Sequence, residues 1–461
     1  MNPSEYILKT EREYALYVCR RRAIPYVGDG LKTSQRIALW LLRNRSEKIK
    51  TYALAGLMAY ERLYNHGDAS ANNTISLLAA PYKNNNPLVE GLGQFGNRVA
   101  PDKDGIGAPR YTDVKRSKVA EELLYKDINL LPMEWNQEHS NQQPVHFLPL
   151  IPMVLLNRVI GVAVGWSTSI LPYKLEDLIN ATKLVLKNKP VPQLIPYFEN
   201  YNVDVKLLKK NQWEITGKLS VSGYKVHITE LPPDTELVKF KEHLINLEEK
   251  GFIVEFVDKS ADSIDIVVDM KKPTRDINGV VEPEYNVNKM SHDDLLDLFK
   301  MRQKITERIV VIDWNGDNMK VYESPEDVVV DFTNWRLSWY KKRYEKFIQD
   351  DNDERLFWKC IECLCIKKFP QKLGTHSNKS EMENEITYIL GKNKIEYSDH
   401  HINRIVSLST YRWTKELEEE AKNKIQELDK RIIMNSNIMN DPNALKKAYL
   451  DDLNNIDIKK N

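Results

Sequence analysis

Near its N-terminus the chain carries the stretch Gly28-Asp29-Gly30-Leu31-Lys32-Thr33-Ser34-Gln35-Arg36. Two glycines around an aspartate are typical of a tight turn, and the apolar residues that follow predict a helix over residues 34–43. A second helix is predicted over residues 71–80, with Asn72 and Asn73 as candidate N-caps. Two short helices followed by a basic loop indicate a helix-turn-helix or winged-helix module.

The basic loop contains a tyrosine directly after an arginine, at Arg110-Tyr111. Lys115, Arg116 and Lys118 follow, so the phenolic oxygen lies in a cationic setting. Such an oxygen can attack a phosphodiester and hold the broken end covalently. Most tyrosines are instead half-buried packing residues, and the pair alone does not decide between these two roles.

The composition favours a globular protein of several domains. A chain of 461 residues with 42% hydrophobic residues is too long for a single core and suggests about three domains. Four cysteines predict a reducing compartment and no disulfide framework. The N-terminus lacks a signal pattern, and prolines interrupt the most apolar stretch, residues 147–164. We therefore expect a soluble, cytoplasmic protein without a membrane span.

The charge is distributed unevenly along the chain, although the net charge is only +1. Residues 1–130 carry 20 Lys and Arg against 14 Asp and Glu, whereas the remainder carries 47 against 52. This asymmetry predicts that a polyanion docks on the N-terminal part. Lysine-rich helices that only solvate the surface would explain the same counts equally well.

Hydrophobic periodicity divides the chain into a mixed region at residues 1–145, a β-rich region at 146–325 and a helical region at 326–461. In the middle region we predict strands at residues 213–215, 219–221, 226–228 and 264–268, a helix beginning near Leu237, and a hairpin at Asn315-Gly316. The last region contains two long segments with apolar residues at 3–4 spacing, which predict an antiparallel coiled coil with a helical knob between its arms.

Three short motifs have simpler explanations than the ligand sites they suggest. Residues 91–96 match G-x-G-x-x-G, but we expect no helix at Asn97-Arg98, as a dinucleotide site requires. The cysteines at 360, 363 and 365 lie in helical sequence, which favours buried thiols over zinc. His400-His401 is interpreted as a loop pair.

Five short motifs occur in order within the first 120 residues: Arg22-Ala23-Ile24-Pro25, Asp29-Gly30-Leu31-Lys32, His66-Gly67, Gly93-Gln94-Phe95-Gly96 and Arg110-Tyr111. This series closely resembles the DNA breakage-reunion subunit of type II DNA topoisomerases, the family of the gyrase A subunit. The resemblance covers nearly the whole chain. Several segments look more like the eukaryotic and T-even-phage branch than like bacterial gyrase.

The resemblance implies an α+β multidomain fold. A winged-helix breakage-reunion domain would occupy residues 1–145, and a mixed α/β tower domain would occupy residues 146–325. A long antiparallel coiled coil would follow at residues 326–461, with a helical dimer gate at about residues 360–410. Because a double-strand break needs two tyrosines, the family architecture also implies a two-fold homodimer.

The resemblance also implies a mechanism. Tyr111 would attack a backbone phosphate and become linked to the 5′ end, while Arg110, Arg22 and His66 surround that phosphate. A phenol is mostly protonated at neutral pH, so the reaction needs nearby positive charge. The planar fork of arginine suits the equatorial oxygens of the transition state. His66 would either carry a proton or donate a hydrogen bond to the phosphate.

Further matched positions imply DNA contacts. Phosphate contacts are expected from Lys32, Gln35, Arg36, Lys115 and Lys118. Val162 matches the family position that wedges between base pairs and bends the duplex. A buried β-residue is the alternative interpretation of Val162.

Cofactors are expected on a partner chain. The family uses Mg²⁺ and ATP, but this sequence shows no acidic cluster resembling the metal site and no ATP signature. Both would come from an ATPase and metal-binding subunit, and the complex would relax and decatenate double-stranded DNA. Two alternatives remain: a non-enzymatic winged-helix architectural DNA-binding protein, and a self-sufficient tyrosine recombinase.

Overall fold

The structure is a computed structural model that describes residues 3–101, 105–276, 279–372 and 378–458. It is a mixed α+β structure with two compact units. The first unit comprises the chain up to Arg336 and from Leu453 onward, and the second comprises Leu337–Asp452. Among the described helices, none is both long enough and apolar enough to cross a membrane.

The N-terminal part of the first unit combines helices with short strands. The helices are α1 (Pro3–Val18), α2 (Thr33–Leu42), α3 (Thr51–Tyr60), α4 (Asp68–Ala79) and α5 (Lys118–Leu123). A π-helical turn, Cys19–Ala23, follows α1 directly. The strands are β1 (Ile49–Lys50), β2 (Val89–Leu92), β3 (Asp113–Arg116), β4 (Met133–Trp135) and β5 (Gln142–Pro144). An antiparallel sheet forms in the order β1-β3-β2, and β4 pairs with β5.

The helix predicted over residues 34–43 is confirmed as α2, whereas the second predicted helix begins earlier than expected. Gly67 occupies the N-cap of α4, and Asn72 lies inside the helix, where its side chain donates to the Asp68 carbonyl at 2.9 Å. The interpretation of Asn72 and Asn73 as caps was therefore wrong. Helix α3 was not predicted from the sequence. Its residues are apolar on nearly every side, so the segment lacks the alternation of an apolar and a polar face that indicates a helix.

The apolar stretch at residues 147–156 is buried and leads into an exposed hairpin. The hairpin consists of β6 (Val159–Ala163) and β7 (Trp166–Ile170), which pair in antiparallel register, with Val162 opposite Ser167. Helix α6 (Leu175–Leu186) follows. Gly165 takes a φ of 76° at the tip, a conformation that a tight turn requires and glycine adopts at low cost.

The remainder of the first unit is β-rich. Its strands are β8 (Asp204–Lys209), β9 (Gln212–Thr216), β10 (Lys218–Ser222), β11 (Lys225–Glu230), β12 (Ile253–Asp258), β13 (Ile266–Met270), β14 (Thr274–Asp276), β15 (Gly279–Val281), β16 (Arg302–Thr306), β17 (Ile309–Ile312) and β18 (Met319–Tyr322). Helices α7 (Leu237–Glu249) and α8 (His292–Leu298) contribute to the core of the sheet ordered β10-β11-β13-β12. A second sheet has the order β16-β9-β8.

Most of the sequence predictions for this region are confirmed. Strands cover residues 213–215, 219–221 and 226–228, and α7 begins at Leu237 as expected. The strand predicted at 264–268 begins two residues later, at Ile266. Asn315-Gly316 lies at the turn of the β17–β18 hairpin, with Gly316 at a φ of 81°.

The second unit is helical. Helix α9 (Pro325–Ile366) enters it at Leu337, and α10 (Lys379–Lys392), α11 (Asp399–Val406), α12 (Lys415–Asn440) and α13 (Pro442–Asn454) follow. Arg355 pairs with Asp429 at 2.7 Å, and Asp351 pairs with Arg431 at 2.6 Å. The earlier residue of α9 thus pairs with the later residue of α12. The two helices therefore run antiparallel, as the sequence predicted.

Two of the short motifs can now be located in this unit. Cys360, Cys363 and Cys365 lie on α9, which confirms the helical prediction, and burial raises the pKa of Cys360 to about 12. His400 and His401 lie in the first turn of α11, so the prediction of a loop pair was wrong. His401 is buried, and its Nδ1 accepts a hydrogen bond from the Ser398 amide at 3.2 Å. A capping box of this kind starts the helix.

Candidate active site and nucleic-acid interface

Tyr111 projects into solvent from the loop that joins β2 to β3. Its side chain is 74% exposed, so the packing interpretation of this tyrosine is wrong. The next residue anchors the loop, because the buried Thr112 carbonyl accepts from the Thr51 amide at 3.1 Å. The two threonine hydroxyls lie 2.8 Å apart. The first residue of α3 therefore fixes the backbone on which Tyr111 stands.

Residues 91–96 support this loop. Phe95 pairs with Ile106 in an antiparallel bridge, and the Gly107 amide donates to the Gln94 carbonyl at 2.9 Å. Gly93 has a φ of 114°, which strongly favours glycine. A Cβ on Gly91 would lie 2.5 Å from the Phe95 ring. Asn97 and Arg98 are not helical, as the sequence predicted, so this glycine-rich stretch shapes the Tyr111 loop.

Basic residues lie near Tyr111 in the sequence, and one of them contacts its ring. The Arg110 guanidinium lies 5.9 Å from the centre of the Tyr111 ring. Lys115, on β3, pairs with Glu90 at 2.9 Å, and Lys118, at the start of α5, pairs with Glu122 at 3.0 Å. Exposed pairs of this kind contribute only about 0–1 kcal/mol, so a phosphate can compete for both lysines.

Arg22 and His66 form a second group. Arg22 lies on the π-helical turn, and its Nη2 is 3.4 Å from His66 Nδ1. Because a guanidinium can only donate, this contact needs the lone pair of Nδ1 and places the ring proton on Nε2. Burial, and then the charge of Arg22, lower the pKa of His66. His66 is therefore a neutral donor through Nε2 at neutral pH.

Arg22 and His66 lie on the wall of a cavity of about 690 Å³, which we call the cationic cavity. Its charged and aromatic lining residues include Tyr17, Arg21, Arg22, Lys32, Arg62, His66, Trp135 and His139. Sequence reasoning missed Arg62, Trp135 and His139. Arg62 lies four residues before His66 but outside the His66-Gly67 motif, and Trp135 and His139 come from β4 and the turn after it, far along the chain from His66.

The three residues predicted to contact DNA through α2 have different surroundings. Arg36 is buried, and its Nε and Nη2 donate to the Asp29 carboxylate at 2.6 and 2.9 Å. The expectation of a phosphate contact for Arg36 is therefore wrong, since its guanidinium instead holds the turn at residues 28–30. The Gln35 side chain accepts from the Lys32 amide at 2.9 Å, and Lys32 Nζ donates to the Ile160 carbonyl at 2.9 Å. Burial lowers the pKa of Lys32.

Val162 is 78% exposed, so the alternative of a buried β-residue is wrong. Ile160 is exposed as well and shares its face of β6, since side chains alternate along a strand, and the exposed Val164 follows in the turn. The hairpin thus presents an apolar ridge to solvent next to the cationic cavity residue Lys32. Isolated exposed apolar residues are common, but three at one hairpin tip suit insertion or docking.

The four residues that the resemblance implies are catalytic fall into two groups among the described residues of one chain. Arg110 and Tyr111 lie together on the loop, and Arg22 and His66 lie together at the cationic cavity. Neither Arg110 nor Tyr111 lines that cavity. The resemblance implied one constellation, whereas the structure shows two groups, Arg110 with Tyr111 and Arg22 with His66, which we call the two half-sites.

Comparisons with known proteins agree with this architecture. A family model that describes the A subunit of DNA gyrase/topoisomerase IV matches residues 22–454. The chain is 30% identical over 429 residues to the DNA topoisomerase medium subunit of Enterobacteria phage T4, covering 90% of this chain and 91% of that protein. It is also 30% identical to Gallus gallus DNA topoisomerase 2-alpha, over 71% of this chain but only 21% of that longer protein.

A solved structure shares the fold. The DNA-binding, cleavage and re-ligation domain of Plasmodium falciparum topoisomerase II superposes with a TM-score of 0.82 at 22% sequence identity. The match covers 96% of this chain and 62% of that one. It extends over both compact units.

Proposed function

Because the chain belongs to the family of the DNA gyrase/topoisomerase IV A subunit, we propose that it is the DNA-cleaving and religating subunit of a type II DNA topoisomerase, an isomerase. The observation that carries this proposal is Tyr111, exposed beside Arg110 on a loop whose backbone is anchored to α3. The complex would cut both strands of one duplex, pass a second duplex through the break and reseal it, which relaxes and decatenates DNA.

The proposed chemistry conserves the number of phosphoester bonds. The Tyr111 oxygen attacks a backbone phosphorus and loses its proton, while the 3′ oxygen leaves and gains one. The 5′ phosphate is then an ester of Tyr111. Attack by the 3′ hydroxyl reverses each of these changes, so resealing needs no energy source at this step. Exposure of Tyr111 supports this role, since a duplex must reach the phenolic oxygen.

Arg22 and His66 would stabilise the phosphate from the opposite side. The exposed guanidinium of Arg22 can donate to two phosphate oxygens. His66 presents Nε2–H, because Nδ1 already faces Arg22, and this supports a hydrogen-bond donor rather than a proton acceptor. Since these residues and Tyr111 form separate half-sites, we propose that a two-fold homodimer completes each site, with Tyr111 of one copy at the cationic cavity of the other.

DNA contacts would extend from these half-sites. Lys115 and Lys118 flank Tyr111 and can exchange their acidic partners for phosphates. Gln35 and Lys32 lie at the N-terminus of α2, where backbone amides also favour an anion. Val162, at the exposed ridge of the hairpin, would wedge between base pairs and bend the duplex.

The described residues of this chain do not form a magnesium site. Among the described residues, no group of three His, Cys, Asp or Glu could hold a metal ion. Two carboxylates of the N-terminal region are paired with cations: Asp113 with Lys50 at 2.8 Å, and Glu134 with Arg21 at 2.9 Å. We therefore assign Mg²⁺ and ATP to a partner subunit, without which this chain would cut DNA poorly.

We assign family domain roles to the observed elements. Helices α2–α4 with the β1-β3-β2 sheet would form the winged-helix domain of residues 1–145, and the sheets of residues 146–325 would form the tower. Antiparallel α9 and α12 would be the arms of a coiled coil, and α10 and α11 would belong to a dimer gate at about residues 360–410. The antiparallel ion pairs between α9 and α12 support the coiled coil.

The experiment is a detergent-trapped cleavage assay. The chain is mixed with an ATPase subunit, duplex DNA and Mg²⁺, and denatured during turnover. We expect protein linked to the 5′ end of the DNA, and no adduct from Tyr111→Phe. DNA binding without an adduct would favour an architectural DNA-binding protein. A 3′-linked adduct formed without a partner would favour a tyrosine recombinase.

A further inference from the structure

The hairpin β6–β7 touches the π-helical turn through bare backbone. A Cβ built on Gly161 would lie 2.0 Å from the carbonyl oxygen of Ala23 and 3.2 Å from the Thr168 methyl group. Gly161 has no positive φ that would explain glycine here. Close approach of the two backbones is therefore the physical requirement for glycine at this position.

Two side chains hold the same hairpin to the same part of the chain. Lys32 Nζ donates to the Ile160 carbonyl at 2.9 Å, and Cys19 Sγ lies 3.9 Å from the Val164 carbonyl. Ile160 and Val164 straddle Gly161. The hairpin strand that carries Val162 is thus attached at three points to residues 19–32.

The π-helical turn and the residues after it also contact the β17–β18 hairpin. Arg20 donates to the backbone carbonyl of Asp317, and the Ile312 amide donates to the Pro25 carbonyl at 2.9 Å. The turn itself closes with a hydrogen bond from the Ile24 amide to the Cys19 carbonyl at 3.1 Å, five residues apart. A π-helical turn is a local departure from the α-helix and often occurs at functional sites.

The residues next to the Gly161–Ala23 contact in the sequence are the two for which we propose DNA contacts. Val162 follows Gly161, and Arg22 precedes Ala23. Because the backbones at Gly161 and Ala23 are packed against each other, a displacement of one segment displaces the other. A hairpin pushed by a duplex would therefore move the peptide that carries Arg22.

We propose that the Gly161–Ala23 contact couples the hairpin to the catalytic half-site, so that seating Val162 in DNA moves Arg22 into its cleavage position. Gly161 and Lys32 are then positioning residues that act through the π-helical turn. This inference rests on the proposed function of Val162 and Arg22. The chain would then cut only a duplex that Val162 has already bent.

The test compares Gly161→Ala with Val162→Ala and with the control Gly56→Ala, whose added methyl group enters open space on α3. Each protein is assembled with Mg²⁺ and the ATPase subunit. One substrate is an intact duplex, and the other carries a two-base mismatch at the wedge position, which makes bending cheap. Fluorescence energy transfer between the duplex ends reports bending, and the detergent-trapped adduct reports cleavage.

We expect Gly161→Ala to bind and bend both substrates like the wild type, yet to form roughly tenfold to a hundredfold less adduct on both, as misplaced catalytic groups do. Val162→Ala should lose bending and adduct on the intact duplex and recover both on the mismatched one. Gly56→Ala should match the wild type in each measurement.

Wild-type adduct from Gly161→Ala would overturn the coupling, and so would recovery of its adduct on mismatched DNA, since the defect would then lie in bending alone. If circular dichroism shows that Gly161→Ala is unfolded, Lys32→Met replaces it. This variant should show the same separation of bending from cleavage at saturating protein, with a salt slope of binding lowered by about one because Lys32 is also a proposed phosphate contact; normal cleavage would overturn the proposal. Absence of adduct from the wild type would instead refute the proposed function.

Discussion

Arg36 and Arg22 are both arginines of the N-terminal region, but the fold places them in opposite surroundings. Arg22 is exposed at the rim of the cationic cavity, whereas Arg36 is buried against Asp29. Asp29 also accepts from the amides of Leu31 and Phe147. Because one of these partners lies 118 residues away, the motif alone could not show that Arg36 serves the fold rather than the DNA.

Replacing Arg36 should therefore affect stability and not the charge seen by DNA. Arg36→Met leaves the Asp29 carboxylate buried without its cation, which should lower the free energy of unfolding by roughly 3–5 kcal/mol. Urea titration measures this loss. Lys115→Met is the matched control: it should change stability by less than about 1 kcal/mol and reduce the salt slope of DNA binding by about one. A reduced salt slope for folded Arg36→Met would contradict the assignment.

Glu307 is a buried carboxyl group at the end of β16 that makes stability depend on pH. It accepts from the Leu171 amide and the Tyr173 hydroxyl, each at 2.8 Å. Burial raises its pKa from 4.5 to about 7, and the nearby carboxylate of Glu326 adds to the rise. The folded protein thus keeps a proton that the unfolded chain releases, so this stabilisation is complete below pH 4.5 and is lost as the pH rises through about 7.

Glu307→Gln should remove this pH dependence, because the amide stays neutral. Relative to the variant, the wild type should lose up to roughly 3 kcal/mol between pH 5 and pH 8. Thermal unfolding of both proteins at the two pH values measures the difference. Glu323→Gln is the control, since Glu323 pairs with Lys210 at the surface and its pKa is lowered. If Glu307→Gln and Glu323→Gln changed the pH dependence of stability equally, the role of Glu307 would be refuted.

At the scale of elements, the sequence predicted those whose local pattern suffices. Alternation identified β10, β11 and β13 of the β10-β11-β13-β12 sheet but not β12, and Asn315-Gly316 identified the β17–β18 hairpin. Helix α3 was not predicted, because its residues are apolar on nearly every side and no periodicity marks the face that is buried. The π-helical turn Cys19–Ala23 could not be predicted either, since contacts with Gly161 and Asp317 shape it from far along the chain.

The Tyr111 loop offers a test of how an element positions a nucleophile. Gly93→Ala places a methyl group at a φ of 114°, which should cost roughly 1–3 kcal/mol or force the loop to move. Adduct formation should fall while DNA binding persists. Gly107→Ala is the control, because its φ is ordinary and its Cβ would make contacts no closer than 3.4 Å. Equal adduct yields from the two variants would show that the loop does not set the geometry.

At the scale of the whole molecule, the sequence predicted the basic N-terminal part and the order of the regions, but not the division of the site. The resemblance implied that Arg22, His66 and Tyr111 act on one phosphate, whereas the structure places Arg22 and His66 at the cationic cavity and Tyr111 outside its lining. A single sequence carries no record of a second copy. We therefore propose the homodimer from the stoichiometry of a double-strand break and from the separation of the two residue groups, not from any motif.

Heterodimers of two inactive chains test this division. A Tyr111→Phe chain and an Arg22→Ala chain are co-expressed with different tags and purified as a mixed dimer. If each site combines two copies, one site keeps both native residues and should cut one strand, with the adduct on the Arg22→Ala chain. If each site lies within one chain, the mixed dimer should be no more active than the Arg22→Ala homodimer.

We propose above all that Tyr111 is the residue that holds the broken DNA. Trapped adduct from the wild-type complex is trimmed with nuclease and digested with trypsin, and the peptides are sequenced by mass spectrometry. Cleavage after Arg110 and Lys115 releases residues 111–115, which contain Tyr111 as their single tyrosine. We predict a nucleotide attached through its 5′ phosphate to Tyr111 in this peptide. A nucleotide on any other residue would contradict the account.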